Sequence, residues 1–561
     1  MPYVPPRYEP SVPPAVAAGE TEETDVAVVG AGPVGLALAL DLARHGVRVV
    51  LLDRDTQLSD GSRAICYAKR TLEVMDRLGF GETMLDKGVS WDVGRVFFGD
   101  APEPVYSFDL LPVKDQKFPG MINIQQYYNE GYNVALVQDH DRVDLRWGNE
   151  VVAVMDEADG VRLDVRTHAG SYGLRARWLV AADGCHSPIR KMRGIPFEGE
   201  TFQDNFLIAD VKFSRPYPSE RHFWFDPPFA PGRSVLLHKQ PDDVWRIDFQ
   251  LGWDIDRDAV VKPENVTPRI RAMLGDGIDF EYEWISVYTF NCRKVDRMVD
   301  GRVIFAGDSA HLVSPFGARG ANSGIQDADN LAWKLALVVR GDAPESLLAS
   351  YDAERQHAAR INILNSTRST DFITPKSDIS RLFRDSVLEL ARTEPFARAY
   401  VNSGRLSTPV PYPESPLNTP DAGEFHSPCA PGTVALDGPV RARDGDGWLL
   451  DHLGDRFHLL LFKADGVLDK ADYEALSALM ADSPVPVQPL VISDDHPDGG
   501  AIPVLADEKG LLARRYDARD GSCYLIRPDQ HVAARMRSFD AGAVRAARDQ
   551  ALGRDARVAA A

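Results

Sequence analysis

Residues 25–53 confine the start of this chain to one local fold. The run DVAVVGAGPVG (25–35) sets an apolar strand directly before Gly30-x-Gly32-x-x-Gly35. The helix Leu36–His45 follows at once, and a second apolar strand, Val47–Leu52, ends on Asp53. Each part has a physical job in gripping a dinucleotide. Gly30 permits the tight turn, Gly32 lets backbone approach a pyrophosphate, and Gly35 lets helix and strand pack closely. The helix N-terminus offers N–H groups and a partial positive charge. Asp53 is placed to accept from the ribose hydroxyls of an adenosine. This fingerprint alone fits FAD and NAD equally.

Two later stretches return to the same kind of sequence. Trp178–Lys191 (WLVAADGCHSPIRK) is an apolar strand ending in Asp183-Gly184, followed by Ser187 and Arg190. Gly301–Asn330 (GRVIFAGDSAHLVSPFGARGANSGIQDADN) runs from a strand into Gly307-Asp308, a Gly-rich turn and a helix starting near Ala321 or Asn322. That helix N-terminus suits the anionic edge of a flavin ring. Asp308 is placed to accept from a ribityl hydroxyl. Together the three stretches can hold both ends of FAD.

Charge and cysteine content narrow the function classes. The 63 basic and 83 acidic residues give a net charge of −20, which argues against a nucleic-acid partner. The five cysteines include no CxxC, so neither a disulfide framework nor thiol exchange is expected. No apolar run approaches the ~20 residues of a membrane span, and the N-terminus lacks signal-peptide features. A cytoplasmic protein without membrane contact is expected.

Prolines at 2, 5, 6, 10, 13 and 14 predict an extended arm over 1–23. Arg70–Leu78 reads as a helix. Arg221–Asp226, Ser234–Gln240 and Val244–Gln250 read as antiparallel strands of an inserted domain, and 345–402 as helical. Seven prolines between 409 and 431 predict a linker. In the unit beyond it, His458–Phe462 reads as a buried strand. Leu490–Ile492 is a shorter one, with Pro484, Pro486 and Pro489 limiting its start.

The set GxGxxG, Arg63-Ala64, Asp183-Gly184 and Gly307-Asp308 resembles the single-component FAD-dependent aromatic hydroxylases, the group of p-hydroxybenzoate and phenol hydroxylase. The resemblance is greatest to the 3-hydroxyphenylpropionate and 3-hydroxybenzoate hydroxylase branch. It covers roughly residues 24–405, and Tyr516–Arg535 is similar to that branch's thioredoxin-like extension. It implies an α/β plus α+β fold: a Rossmann-like FAD-binding domain (24–89 with 126–201 and 301–405) and an inserted antiparallel-sheet substrate domain (90–125 with 202–300). A linker (406–431) and a thioredoxin-like domain without CxxC (432–561) complete it.

The resemblance also implies roles. Arg63 contacts the FAD phosphates; Asp183, with Gly184, supports the pyrophosphate side and assists NAD(P)H approach. Asp308 binds the ribityl chain. Gly317, Gly320, Ala321 and Asn322 lie against the isoalloxazine, Gln126 contacts the flavin, and Pro315 lies beside the reacting ring. The chain departs from the family where Asn129, Gly131 and Asn133 interrupt the apolar face after Gln126. Where phenol hydroxylase carries an active-site Asp, Ile65 stands.

The implied reaction uses NAD(P)H to reduce FAD and O2 to form a flavin C4a-hydroperoxide, which oxygenates an electron-rich ring. A phenol near pKa ~10 reacts best as phenolate, and lowering that value by about three units takes about 4 kcal/mol. A proton acceptor beside the hydroxyl is therefore expected. Strand alternation puts Arg246, Asp248 and Gln250 on one face, and His238 and Gln240 on another. His238 is the expected acceptor. Arg246 is expected to hold a substrate carboxylate or the flavin, and Tyr288 to hydrogen-bond the phenol. His311 is expected to be a structural neighbour of the flavin. Expected partners are a small phenol, O2 and a second copy in a homodimer. Two other readings stay open: another flavoenzyme on this scaffold, such as a halogenase or oxidase, and a non-enzymatic FAD-binding redox sensor. Tryptophan-type halogenases carry WxWxIP, which Trp245-Arg246-Ile247 does not supply.

Overall fold

A computed structural model describes residues 3–90, 93–109, 114–275, 277–402, 407–495 and 500–554. The apolar segments Val26–Val29, Val49–Leu52, Trp178–Ala181 and Val303–Phe305 build the centre of a parallel sheet that is buried on both sides. Its order is Val299–Asp300, Val303–Phe305, Gly170–Ala181, Thr21–Val29, Val49–Leu52 and Val143–Arg146, all parallel but the first. The hairpin Glu150–Glu157/Gly160–Thr167 extends the Gly170–Ala181 strand. Helices Pro33–Arg44 and Gly320–Arg340 pack on each other, so two cofactor-type segments far apart in sequence meet.

Two local expectations change. The first strand begins at Thr21 and Pro14–Ala18 is a helical turn, both inside the segment read as an extended arm. Nor is the preceding stretch free: Tyr3 stacks on Tyr127 at 3.6 Å and Tyr8 on Trp147 at 4.6 Å. The helix Gln126–Gln138 runs unbroken through Asn129, Gly131 and Asn133. Both asparagines are buried and the Asn133 side chain donates to Asn129 O at 3.1 Å, so local polar pairing replaces apolar contact.

The second sheet has the order His311–Leu312, Phe280–Lys294, Glu198–Phe213, Val244–Gly252, Ser234–Lys239, Arg221–Phe225, Val93–Phe98, Tyr106–Asp109. It is antiparallel except where Arg221–Phe225 runs along Val93–Phe98. One face carries Leu207, Ala209, Val235, Leu237, Trp245, Ile247 and Phe249, packed on helix Pro263–Leu274 through Val266 and Ile270. The other face holds the polar residues at the alternate positions and turns toward the nucleotide-binding layer.

In the C-terminal unit, Phe457–Phe462, Val487–Ser493 and Val504–Ala506 are parallel, and Cys523–Ile526 and Val532–Met536 continue antiparallel from the first of these. Three parallel strands followed by two antiparallel ones, with helices between, is a thioredoxin-like layer. The Val487–Ser493 strand starts earlier than its prolines suggest and contains Pro489. Alternate N–H groups of this strand point toward Val504–Ala506, and that neighbour pairs only from Val491 onward. Pro489 therefore lacks a donor where no acceptor strand is present. Cys429 and Cys523 are buried and their thiols are pushed up to about 12 by burial. The proline-rich segment 407–431 packs against the body through Tyr412, Leu417 and Cys429. Among the described residues, no helix is long and apolar enough to cross a membrane.

Candidate active site

The cleft begins at the turn after Thr21–Val29. Gly30 has φ +107°, and a Cβ there would sit 2.3 Å from Ala182 O. At Gly32 an added Cβ meets nothing within 4 Å, so the turn offers bare backbone to open space. At Gly35 a Cβ would strike Gly30 O at 1.9 Å, which keeps the helix start tight on the turn. Asp53 closes this end: its carboxylate accepts from Ala31 N at 2.6 Å and Asp55 N at 2.8 Å. Burial raises its pKa against those two donors.

Asp183 stands opposite, at the end of the adjacent parallel strand. One carboxylate oxygen accepts from Ile189 N at 3.1 Å; the other, Oδ1, is buried with no hydrogen-bond partner within the protein. Gly184 beside it adopts φ +80°. Asp308 follows Val303–Phe305 at the next strand end. Its surface is open to the cleft while protein surrounds it on the other sides, and burial raises its pKa against the pull of His311 and Arg63. Arg63 acts electrostatically on Asp308, Tyr288 and Cys185, which places these four groups around one space.

The turn 315–318 enters the helix Gly320–Arg340, with Ala318 N donating to Pro315 O at 2.9 Å and Gly317 at φ +94°. Pro315 is exposed at the rim, and Gly320 and Ala321 are half-buried at the helix start. Asn322 departs from expectation. Its side chain is buried and faces the protein: Oδ1 accepts from Ala68 N at 2.8 Å and Thr71 Oγ1 at 2.6 Å, and Nδ2 donates to Cys66 O at 2.9 Å. Only its backbone is left to face a ligand.

Gln126 is corrected in the same way. Its Oε1 accepts from Ala64 N at 3.0 Å, while Nε2 donates to Glu130 at 2.8 Å and Ser59 Oγ at 3.2 Å. The side chain holds the Arg63 loop rather than reaching into the cleft. Arg246 holds that loop from the other side. Its Nε and Nη2 donate to the two oxygens of Asp210 at 2.8 Å each, and it also donates to the carbonyls of Ser62 and Arg63. With its fork filled by a carboxylate and two carbonyls, Arg246 is a clamp and not a substrate-carboxylate receptor. His311 likewise is locked, with Nε2 2.7 Å from Asp327 Oδ2.

His238 lies directly across the strand pair from Arg246. It is buried, and its Nε2 is 3.2 Å from Asp248 Oδ2, without good hydrogen-bond geometry at either ring nitrogen. Burial, reinforced by the nearby Arg221, lowers its pKa to about 4, against the opposing pull of Asp248. The imidazole is neutral at pH 7. Tyr288 opposes Phe206 on the same sheet face, and burial raises its pKa, so it remains a donor. Arg221, Phe223 and Ser286, whose hydroxyl is buried, complete this face, with Cys66 and Met121 near Arg221. Alternation along Val244–Gln250 found the face. It did not find Asp210 as the partner of Arg246, or Asp248 as the neighbour of His238, because both pairings are cross-strand.

A parallel nucleotide layer, three strand ends converging on one cleft and a helix N-terminus at its far end define a flavoprotein. The cleft fits FAD on its own geometry: Gly32 leaves backbone bare, and the orphaned Asp183 Oδ1 needs a donor. The FAD binding domain family matches residues 23–366, and the chain belongs to it. The HcaD C-terminal domain matches residues 432–551. The chain is 29% identical over 520 residues to the 3-(3-hydroxy-phenyl)propionate/3-hydroxycinnamic acid hydroxylase of Mycolicibacterium smegmatis, covering 91% of this chain and 90% of that protein. To the protein of the same name from Escherichia coli O157:H7 it is 28% identical over 533 residues, covering 94% and 93%. Its fold is that of the flavin-dependent monooxygenase PieE, solved with FAD and substrate, at TM-score 0.81, 23% identity and coverage of 96% of this chain and 100% of that one. Aklavinone-11 hydroxylase with FAD and aklavinone gives 0.77 at 23% identity, covering 95% and 99%.

Proposed function

We propose that this flavoprotein hydroxylates a phenolic ring, using NAD(P)H and O2. The observation that carries this reading is a neutral buried imidazole, His238, beside Asp248 on the sheet face that closes the flavin cleft. The names of the two relatives support the reading and suggest 3-hydroxyphenyl acids as first substrates to test.

Bound FAD supplies the redox chemistry: it takes a hydride from NAD(P)H and delivers one oxygen atom of O2. The chain's residues hold it as follows. Gly30, Gly32 and Asp53 would take the adenosine and pyrophosphate end, with Arg63 on the phosphates and Asp183 on the pyrophosphate side, its free oxygen accepting from a hydroxyl or N–H donor. Asp308 takes the ribityl hydroxyls, and the backbone of Gly317, Gly320, Ala321 and Asn322 faces the ring.

In this reading the phenol hydroxyl meets His238; Tyr288, three strands away on the same sheet face, lies toward Arg63 and Asp308. His238 is too weak a base to ionise a resting phenol, because about six pKa units of mismatch cost about 8 kcal/mol. As the ring gains oxygen, however, its hydroxyl becomes a strong acid. A base near pKa 4 then accepts the proton at His238, and the adjacent Asp248 carboxylate stabilises the imidazolium. Tyr288, kept protonated, is a donor on the Arg63 and Asp308 side of the cleft rather than at the phenol oxygen beside His238. The buried sheet face limits water, which protects the oxygen-transfer step.

The protein acts as a homodimer in this reading. Helix Asp378–Ala391 exposes Ile379, Leu382 and Phe383, and Pro395–Asn402 exposes Phe396 and Tyr400; a second copy would cover this patch. Light scattering at micromolar concentration tests it.

The deciding experiment is NADH and NADPH oxidation by the FAD-loaded protein with 3-hydroxybenzoate, 3-hydroxyphenylpropionate, resorcinol and a non-phenolic ring. Strong stimulation by one phenol with hydroxylated product is expected. Equal rates with every ring would count against hydroxylation.

A further inference from the structure

A second cluster of buried charge lies behind the cleft, where residues 527–531 of the C-terminal unit meet the nucleotide-binding layer. It begins at the cofactor turn. Gly307 N donates to Asp327 Oδ2 at 2.9 Å, and Arg355 Nε donates to Asp327 Oδ1 at 2.5 Å. Arg355 Nη1 donates to Tyr412 OH at 2.6 Å, and the Tyr412 ring stacks on His531 at 5.0 Å. His531 Nδ1 lies 3.0 Å from Asp529 O.

From there the contacts return by two routes. Asp529 accepts from Arg527 Nε and Nη2 at 2.9 and 2.5 Å, and Arg527 Nη1 donates to Glu354 at 2.7 Å. Glu354 also takes Lys334 Nζ at 2.7 Å. On the other side, Arg70 Nη2 donates to Asp529 O at 2.9 Å and Asp329 at 2.8 Å, while Arg70 Nη1 reaches Gln530 Oε1 at 2.6 Å. Arg70 follows Cys66–Ala68, the segment that the Asn322 side chain grips. All of these side chains are buried.

Buried ion pairs of this kind add little net stability, because desolvation cancels much of the attraction. A densely paired network does fix one arrangement of the elements it joins, and here only Arg70 Nε among the donors named is left without a partner. Here those elements are the helices Lys69–Arg77, Gly320–Arg340 and Leu347–Ile373 and the turn at Gly307, of which the turn and the start of Gly320–Arg340 border the flavin cleft.

We propose that the loop Arg527–His531 is a positioning element of the flavin site, with Arg527 and Asp529 setting the register of the cofactor turn and the ring-facing helix. The C-terminal unit then acts on the cofactor from inside the same chain. This rests on the flavin cleft and not on the identity of the substrate, so FAD binding tests it even if no phenol is hydroxylated.

The test uses the full chain and two readouts: the FAD dissociation constant by flavin fluorescence, and the midpoint potential of the bound flavin. Asp529→Asn should weaken FAD binding about tenfold, within the range usual for coupled sites, and shift the potential. Arg527→Lys should do the same more mildly. Leu460→Ala, in the core of the C-terminal sheet, controls for general destabilisation: it should lower the unfolding temperature and leave both readouts unchanged. If Asp529→Asn does not fold, Tyr412→Phe, which removes only the hydroxyl taken by Arg355, should act in the same direction. Wild-type affinity and potential in Tyr412→Phe and in any folded Asp529→Asn would overturn the proposal. So would an equal loss of FAD in Leu460→Ala.

Discussion

Arg246 faces Asp210 across neighbouring strands and donates to both of its carboxylate oxygens at 2.8 Å. The remaining reach of the guanidinium goes to the carbonyls of Ser62 and Arg63, so one buried fork joins the sheet domain to the phosphate-side loop.

Breaking that fork should therefore act on the cofactor. Arg246→Ala leaves Asp210 buried without its partner, a loss of about 3–5 kcal/mol. Arg246→Lys keeps the charge but not the fork geometry. Both variants should retain less FAD. The KM ratio between a carboxylated phenol and its uncarboxylated analogue should stay at the wild-type value in Arg246→Lys. A selective rise in KM for the acid would return Arg246 to the role of substrate receptor.

His238 and Asp248 should set the acid limb of turnover. The base form of His238 persists down to about pH 4, so the rate of product formation should be flat through neutral pH and fall only in strong acid. Asp248 pulls the His238 pKa upward. Asp248→Asn should thus move the limb to lower pH while reducing kcat by about 10²-fold, the scale of a lost proton-transfer aid. A limb that moves upward would remove Asp248 from this role.

The parts of the site that sequence made legible are those whose chemistry is local. Gly30, Gly32, Gly35 and Asp53 lie within one strand–turn–helix–strand unit, and Asp183 and Asp308 each sit at the end of an apolar strand, so spacing alone marks them as candidates. Side-chain direction was not legible. Asn322 and Gln126 lie in the right segments, yet each amide points away to hold backbone at Ala68 and Ala64. Cross-strand partners were hidden for the same reason: register is set by pairing between Val244–Gly252 and Glu198–Phe213, and nothing within either strand states it. The buried loop Arg527–His531 was beyond reach because its partners elsewhere in the chain lie 77 to 460 residues away.

Asp308 should govern cofactor retention. Its carboxylate is the acceptor that the ribityl chain would meet, since the residue is open to the cleft. Asp308→Ala should release FAD on desalting, and Asp308→Asn, which keeps an acceptor oxygen, should retain more. The absorbance ratio of flavin to protein reads this directly. Full flavin occupancy in Asp308→Ala would count against the assignment.

Acid should destabilise the protein through two buried histidines. His238 and His458 are both lowered to about 4, each chiefly by burial. In the unfolded chain they bind a proton near pH ~6.5. Between those values the unfolded state holds more protons, so stability rises with pH across this window and is lost as pH falls through it. Each histidine contributes a loss of about 2 kcal/mol between pH 7 and pH 5. Asp437, raised to about 6 by burial, works in the opposite direction and makes the total slope an unsafe measure. The difference between wild type and His458→Gln isolates one histidine, since glutamine keeps a donor for Gly454 O. Urea unfolding at the two pH values should show wild type losing about 2 kcal/mol more than the variant. Equal losses would mean that His458 is protonated in the folded state and that its strand is more open to water than its burial implies.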